Sequence, residues 1–194
     1  MHVIVSTGHG TRRTRSGGVI TDPGVVNHTY RITEHHCAVE VVGWIYILLG
    51  GIEEIKLETI KDGTLEYKIA QINEKKPDLA VEVHFNAPRD QLRTDIRGTE
   101  CLYYPGSVKG LEAAKCFQSN LWRVLGTRSR GVKPRKGLDF LSETHCPAVI
   151  TEAEFLTNPI VAKELSEGWW LKGWWLRKIA SAHVSALWEL REIF

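Results

Sequence analysis

Leu79-Ala80-Val81-Glu82-Val83-His84-Phe85 decides the fold, because it reads as a compact strand with a helix or a turn on every side. Leu65 to Lys75 before it reads as a helix stopped ahead of Pro77. Further upstream, Ile52 to Ile60 reads as a strand and Thr29 to Leu49 as a helix. The apolar positions of that helix (Ala38, Val41, Val42, Ile45, Leu48, Leu49) fall at three- and four-residue steps. Gly50-Gly51 ends it as a left-handed cap would. Thr11 to Asn27 is rich in Gly, Ser, Thr and Arg, holds Asp22-Pro23-Gly24, and reads as a loop. Val3-Ile4-Val5 is a buried strand running into the turn Ser6-Thr7-Gly8. Downstream come a strand at Thr99 to Tyr104, a helix at Val108 to Leu125, a strand at Ala148 to Glu154, and a helical stretch from Pro159 to Ile193. This rhythm predicts an α/β fold: a single domain, 1–194, on a mixed, mostly parallel sheet with helices on both faces.

Composition agrees with an ordinary globular chain. Of 194 residues, 43% are hydrophobic and 25% charged, with 17 Gly and 7 Pro, which excludes disordered, fibrous and low-complexity classes. Lys and Arg number 25 against 23 Asp and Glu, a formal +2 that gives no global case for a nucleic-acid partner. No apolar run approaches the 18 or more residues a membrane span needs, so no stable membrane insertion is expected. The opening Met-His-Val-Ile-Val-Ser-Thr-Gly-His-Gly lacks the basic and apolar regions of a secretory signal. Cys37, Cys101, Cys116 and Cys146 show no regular spacing and are expected to be buried, reduced thiols.

In an open α/β sheet, binding groups collect beside the carboxyl ends of the strands. His9 follows the first strand inside Thr7-Gly8-His9-Gly10, where glycines let the backbone turn. His84 lies near the end of the strand quoted above, Glu34 opens the first helix after Arg31-Ile32-Thr33, and Glu152 ends the strand Ala148-Val149-Ile150-Thr151-Glu152. Two imidazoles and one carboxylate are a ligand set that holds a catalytic zinc and leaves a position for water. A separate carboxylate can then take that water's proton.

The chain resembles the zinc-dependent N-acetylmuramoyl-L-alanine amidases of the Amidase_3 type, found in bacterial autolysins and phage endolysins. Gly8-His9-Gly10, Thr33-Glu34, Val83-His84-Phe85-Asn86-Ala87, Pro147 to Glu152 and Phe155-Leu156-Thr157-Asn158-Pro159 carry the resemblance. Weaker echoes are Asp62, Leu65, Asn73, Gly98, Glu100 and Arg130-Gly131-Val132-Lys133. The resemblance implies that His9, Glu34 and His84 are the ligands of Zn2+ and that Glu152 is the catalytic carboxylate. The implied substrate is peptidoglycan, cut at the amide between N-acetylmuramic acid and the L-alanine of the stem peptide. Glu152 would take a proton from the attacking water and return it to the departing nitrogen. A zinc peptidase cutting within the stem peptide is the enzymatic alternative. A peptidoglycan-binding module without catalysis is the other.

The chain departs from the family pattern in three places. Ser6 stands where the family usually has Asp, which predicts weaker support for the site. Glu82 stands where a small polar residue is typical, and the segment between His9 and Glu34 is long. Glu40 competes with Glu34 as ligand, and Glu154 with Glu152 as base. His35 and His36 cannot join the same metal, since adjacent helical residues diverge by about 100°.

Two basic clusters stand out. Arg12, Arg13 and Arg15 form one, and Arg128 to Lys136 holds five cations in nine residues. Both are offered to solvent or to anionic wall groups. Trp169, Trp170, Trp174 and Trp175 read as a core face with Trp170, Leu171 and Trp174 buried, or as an exposed aromatic patch. The length leaves no room for a separate wall-binding module, and the expected state is a monomer. The missing signal favours a phage endolysin, made in the host cytoplasm and acting on the wall after the membrane is breached.

Overall fold

The computed structural model describes residues 1–90, 93–166 and 169–194, and the side chains of 169–172 are outside that description. In chain order the elements are β1 (His2–Thr7), β2 (Gly10–Arg13), β3 (Val19–Asp22), β4 (Val26–Asn27), β5 (Ile32–Thr33), α1 (Glu34–Leu49), β6 (Lys56–Ile60) and α2 (Leu65–Lys75). There follow β7 (Leu79–Asn86), β8 (Thr99–Tyr103), α3 (Val108–Leu125), β9 (Ser129–Pro134), α4 (Asp139–Ser142), β10 (Ala148–Phe155), α5 (Pro159–Ser166) and α6 (Trp169–Leu190).

Six strands form one sheet in the order β6-β1-β7-β10-β8-β9. Only the β10–β8 pair is antiparallel, so the sheet is mixed and mostly parallel, as expected. Alternate strand residues face opposite sides. Val3, Val5, Val81, Val83 and Val149 pack with α1, α3 and α6 on one face, while Ile4, Ala80, Leu102 and Ile150 pack with α2 and α4 on the other. Strands covered on both faces must be apolar throughout, which is why β1 and β7 read as nearly unbroken hydrophobic runs. No helix among the described residues is long and apolar enough to cross a membrane. None of the four cysteines is in a disulfide; Cys37 and Cys101 are buried, whereas Cys116 and Cys146 are half-buried rather than buried as expected.

The structure corrects the sequence reading in several places. The expected loop at Thr11 to Asn27 contains an antiparallel hairpin, β2 against β3. Helix α1 starts at Glu34 rather than Thr29, because Ile32–Thr33 pair with Val26–Asn27 and Arg31 sits at φ 53°. Thr33 caps the helix by accepting from the His36 amide at 3.2 Å. Beyond Gly50, Gly51 takes the left-handed conformation at φ 87°. Strand β6 begins at Lys56, not Ile52. The basic run holds an unforeseen strand, β9, whose charges suit the outer edge of the sheet. The single helix expected from Pro159 to Ile193 is two, α5 and α6, and what joins them lies outside the described residues. Trp174 is exposed rather than buried, with Trp175 edge-on to it at 5.9 Å and Lys178 Nζ 3.8 Å from its ring centre. The side chains of Trp169, Trp170 and Leu171 are outside the description.

Candidate active site

The site is built at the carboxyl ends of β1 and β7, where parallel strands leave unpaired backbone and the chain is free to turn. After β1 the backbone bends at Gly8, whose amide bonds the Val83 carbonyl at 2.8 Å, and His9 adopts φ 60°. A left-handed histidine is uncommon and costs energy. Here it aims the imidazole back over the sheet edge. The turn admits no side chain at Gly8, where a Cβ would lie 2.4 Å from the His84 ring.

Glu34 occupies the first turn of α1, where the helix dipole favours a negative charge. Its carboxylate is buried and serves as the hub of the site. Oε2 lies 3.1 Å from His9 Nε2, and Oε1 lies 2.8 Å from His84 Nδ1. The amides of Val25 and Phe85 also donate to it, at 2.9 Å and 3.1 Å. Burial alone would raise its pKa, but the bonds from His84 and His9 outweigh that and hold it well below the usual carboxylate range. The imidazoles respond in kind. Burial disfavours their charged forms, yet Glu34 and Glu82 raise His84 well above its ordinary value, and Glu34 and Asp22 raise His9.

His9, Glu34 and His84 each turn one ligand atom toward the others, all within 4.8 Å. Two imidazole nitrogens and a carboxylate gathered that closely fit a divalent, zinc-like cation. Of the competing carboxylates, Glu40 is exposed on α1 and lines a separate depression with Trp44 and Lys61. Glu154 is spent on structure: it accepts from the Gly98 amide at 2.9 Å and from Thr127 Oγ1, beyond a register shift that separates it from Glu152.

Glu152 stands beside the cluster. It is the register partner of His84 on β7 and of Glu100 on β8, and its buried Oε2 has no hydrogen-bond partner. Burial pushes its pKa up to about 8; the charges of Glu34 and Glu100 add to the rise, while His84 and His9 oppose it. Glu100 is itself held by Arg130 Nε at 2.7 Å and Lys133 Nζ at 2.5 Å. Two cations of the basic run are thereby turned inward, leaving Arg128, Arg135 and Lys136 exposed.

Three residues near the site were given no role there by the sequence. Asp22 Oδ2 lies 3.0 Å from His9 Nδ1, and Glu82 Oε2 lies 2.9 Å from His84 Nε2. Lys68, buried on α2, reaches Thr7 O, His9 O and Glu82 Oε1. A signal existed for two of them. Glu82 is the one acidic residue in a strand that is otherwise apolar as far as His84, and Lys68 falls four residues before buried Ile72 on the inward face of its helix. A cleft of about 330 Å³ opens beside these groups, and Arg12 and Arg13 of the β2–β3 hairpin form part of its wall. His35 is not part of the cluster; its Nδ1 bonds the Gly8 carbonyl at 3.0 Å.

The chain is similar to known proteins along nearly its whole length. A family model described as N-acetylmuramoyl-L-alanine amidase matches residues 3–187. The germination-specific N-acetylmuramoyl-L-alanine amidase of Bacillus subtilis (strain 168) is 27% identical over 103 residues, 53% of this chain and 42% of that protein's length. The chain therefore spans under half of that relative. The crystal structure of an N-acetylmuramoyl-L-alanine amidase from Clostridium difficile 630 superposes with a TM-score of 0.84 at 20% identity, covering 98% of this chain and 96% of that one. The catalytic domain of the CD27L endolysin targeting Clostridia difficile gives 0.71 at 25% identity, covering 97% of each. The family match runs over nearly the whole sequence and the fold of solved amidases is reproduced, so the chain belongs to the N-acetylmuramoyl-L-alanine amidase family.

Proposed function

We propose that the protein hydrolyses peptidoglycan at the amide between N-acetylmuramic acid and the L-alanine of the stem peptide, with Zn2+ held by His9, Glu34 and His84. The observation that carries this is the gathering of those three ligand atoms within 4.8 Å beside an unpartnered buried carboxylate oxygen on Glu152. Zinc supplies Lewis-acid charge that acidifies a water and polarises a carbonyl. Glu34 brings negative charge, and without metal its two oxygens face the ligand nitrogens of both rings. Glu152 has its proton affinity raised toward neutrality by burial, which suits a group that takes a proton from water and hands it to the departing amine. Family membership supports the bond chosen, and the likeness to an endolysin catalytic domain supports a phage lytic role, acting on the wall from a host cytoplasm once the membrane is breached.

The test is loss of turbidity of purified sacculi with and without a chelator, followed by zinc. Lysis that stops with chelator and returns with zinc, releasing intact stem peptides with free L-alanine amino groups, is the expected result. Chelator-insensitive lysis refutes the metal role. Cleavage within the stem peptide identifies a peptidase instead, and an absence of lysis points to a binding module.

A further inference from the structure

We infer that Glu82, clamped by Lys68, is the positioning residue that commits His84 to present Nδ1 to the metal, and that Asp22 commits His9 to present Nε2. The inference rests on the zinc reading above and concerns which nitrogen of each ring is offered. A neutral imidazole has one protonated nitrogen and one free lone pair, and the partner of the protonated nitrogen decides which is which.

The two rings are used in opposite senses. His84 turns Nδ1 toward Glu34 and Nε2 toward Glu82, whereas His9 turns Nε2 toward Glu34 and Nδ1 toward Asp22. One shared device cannot set both, and each ring has its own carboxylate. Glu82 precedes His84 by two residues on β7, so the strand's period places both on the same face. Its carboxylate is buried, where an acceptor without donors is costly. The His84 Nε2–H and Lys68 Nζ are those donors, at 2.9 Å and 3.5 Å.

Lys68 is only 1% exposed, and its ammonium has three hydrogens to place. They meet three acceptors: Glu82, and the carbonyls of Thr7 and His9 at 2.5 Å and 2.6 Å. One cation from α2 thereby ties the turn that carries His9 to the carboxylate that orients His84. Asp22 is held separately, its Oδ1 accepting from the Gly24 amide at 3.2 Å.

The experiment uses the whole chain, labelled with 15N-histidine and loaded with zinc. Ring nitrogen spectra of the wild type are expected to show His84 protonated at Nε2 and His9 protonated at Nδ1. The opposite tautomer at His84 overturns the inference without any variant. Zinc affinity, measured by competition with a chromogenic chelator, is expected to fall about tenfold in Glu82→Gln and up to about 100-fold in Glu82→Ala. Glu82→Asp is expected to recover part of the loss. Affinity within twofold of wild type in folded Glu82→Gln and Glu82→Ala, with the His84 ring signals unmoved, overturns the role of Glu82. A wild type that takes up no zinc overturns the metal reading itself, a result distinct from either.

Discussion

Glu152 and His84 are register partners on the adjacent parallel strands β10 and β7. Backbone pairing alone puts the carboxylate beside the imidazole, without help from a loop. Replacing Glu152 by Gln preserves shape and removes the proton acceptor. Cleavage of muropeptide is expected to fall by about 10²–10⁴-fold, while zinc content, measured by elemental analysis of the purified variant, stays at the wild-type level. Near-normal cleavage with metal bound excludes Glu152 as the base.

Glu34 and Glu40 share a helix and differ in everything else. Glu34 is buried between two imidazoles, and Glu40 is exposed away from them. Glu34→Ala is expected to purify with little zinc and Glu40→Ala with a full equivalent. Equal metal content in the two variants contradicts the ligand assignment.

A pH dependence follows for the metal-free protein. The folded pKa of Glu152, about 8, lies above its ordinary 4.5, so the folded chain binds this proton more tightly than the unfolded one. Its stabilising contribution is complete below the ordinary value and is lost as pH rises toward 8. Glu152→Gln has no such proton to lose. The stability of this variant relative to wild type, from chelator-treated samples unfolded in urea, is expected to grow across that window. The gain is on the order of 2–4 kcal/mol after allowance for screening. A flat difference between pH 4.5 and 8 refutes the burial of an ionisable Glu152.

Gly24 lies directly against His9 and Glu34. At φ +65° a Cβ there would lie 2.4 Å from His9 Cδ2 and 2.6 Å from Glu34 Oε2, whereas Gly17 has φ +86° with nothing within 4 Å. Gly17→Ala is expected to cost about 1 kcal/mol of backbone strain and leave zinc binding alone. Gly24→Ala bears the same strain and also displaces two ligands, so its zinc affinity is expected to drop at least tenfold. Thermal unfolding and zinc titration of both variants make the comparison.

Arg135 and Lys136 are exposed where Arg130 and Lys133 are bound to Glu100. Reversing both exposed charges is expected to weaken retention on anionic wall material several-fold at low salt, with the difference closing as salt rises. Turnover of a small soluble muropeptide is expected to stay unchanged. Wall binding that is indifferent to the reversal shows these cations to be ordinary surface.

Much of this architecture was legible because local pattern and tertiary role coincide. Leu65–Lys75 and Val108–Leu125 are helices at the residues their periodicity indicates. Tertiary pairing decided the rest. Val26–Asn27 holds Ile32–Thr33 out of the helix that the sequence begins at Thr29, and β9 is a strand because β8 pairs with it, not because Arg130-Gly131-Val132-Lys133 favours one. At the site, the four residues singled out in the sequence lie together, while their supports gave no sign of themselves, since hydrogen-bond partners distant in sequence leave no spacing signal. Two of the three departures from the family pattern illustrate this. Ser6 and Glu82 are register partners on β1 and β7, so the acidic side chain that looked missing from one strand is supplied by its neighbour.

The position of β10 has a consequence for the order in which the molecule becomes active. It lies between β7 and β8, yet it follows the other five strands of the sheet in the chain and so is made after them. Until it inserts, β6-β1-β7 and β8-β9 are two separate leaves with no shared hydrogen bonds, and such non-local parallel pairing is slow to form. A nascent chain shorter than residue 148 already carries His9, Glu34 and His84 but lacks Glu152. On the proposed mechanism, the strand that joins the leaves also delivers the base, so completing the sheet and gaining hydrolytic capacity would be one event.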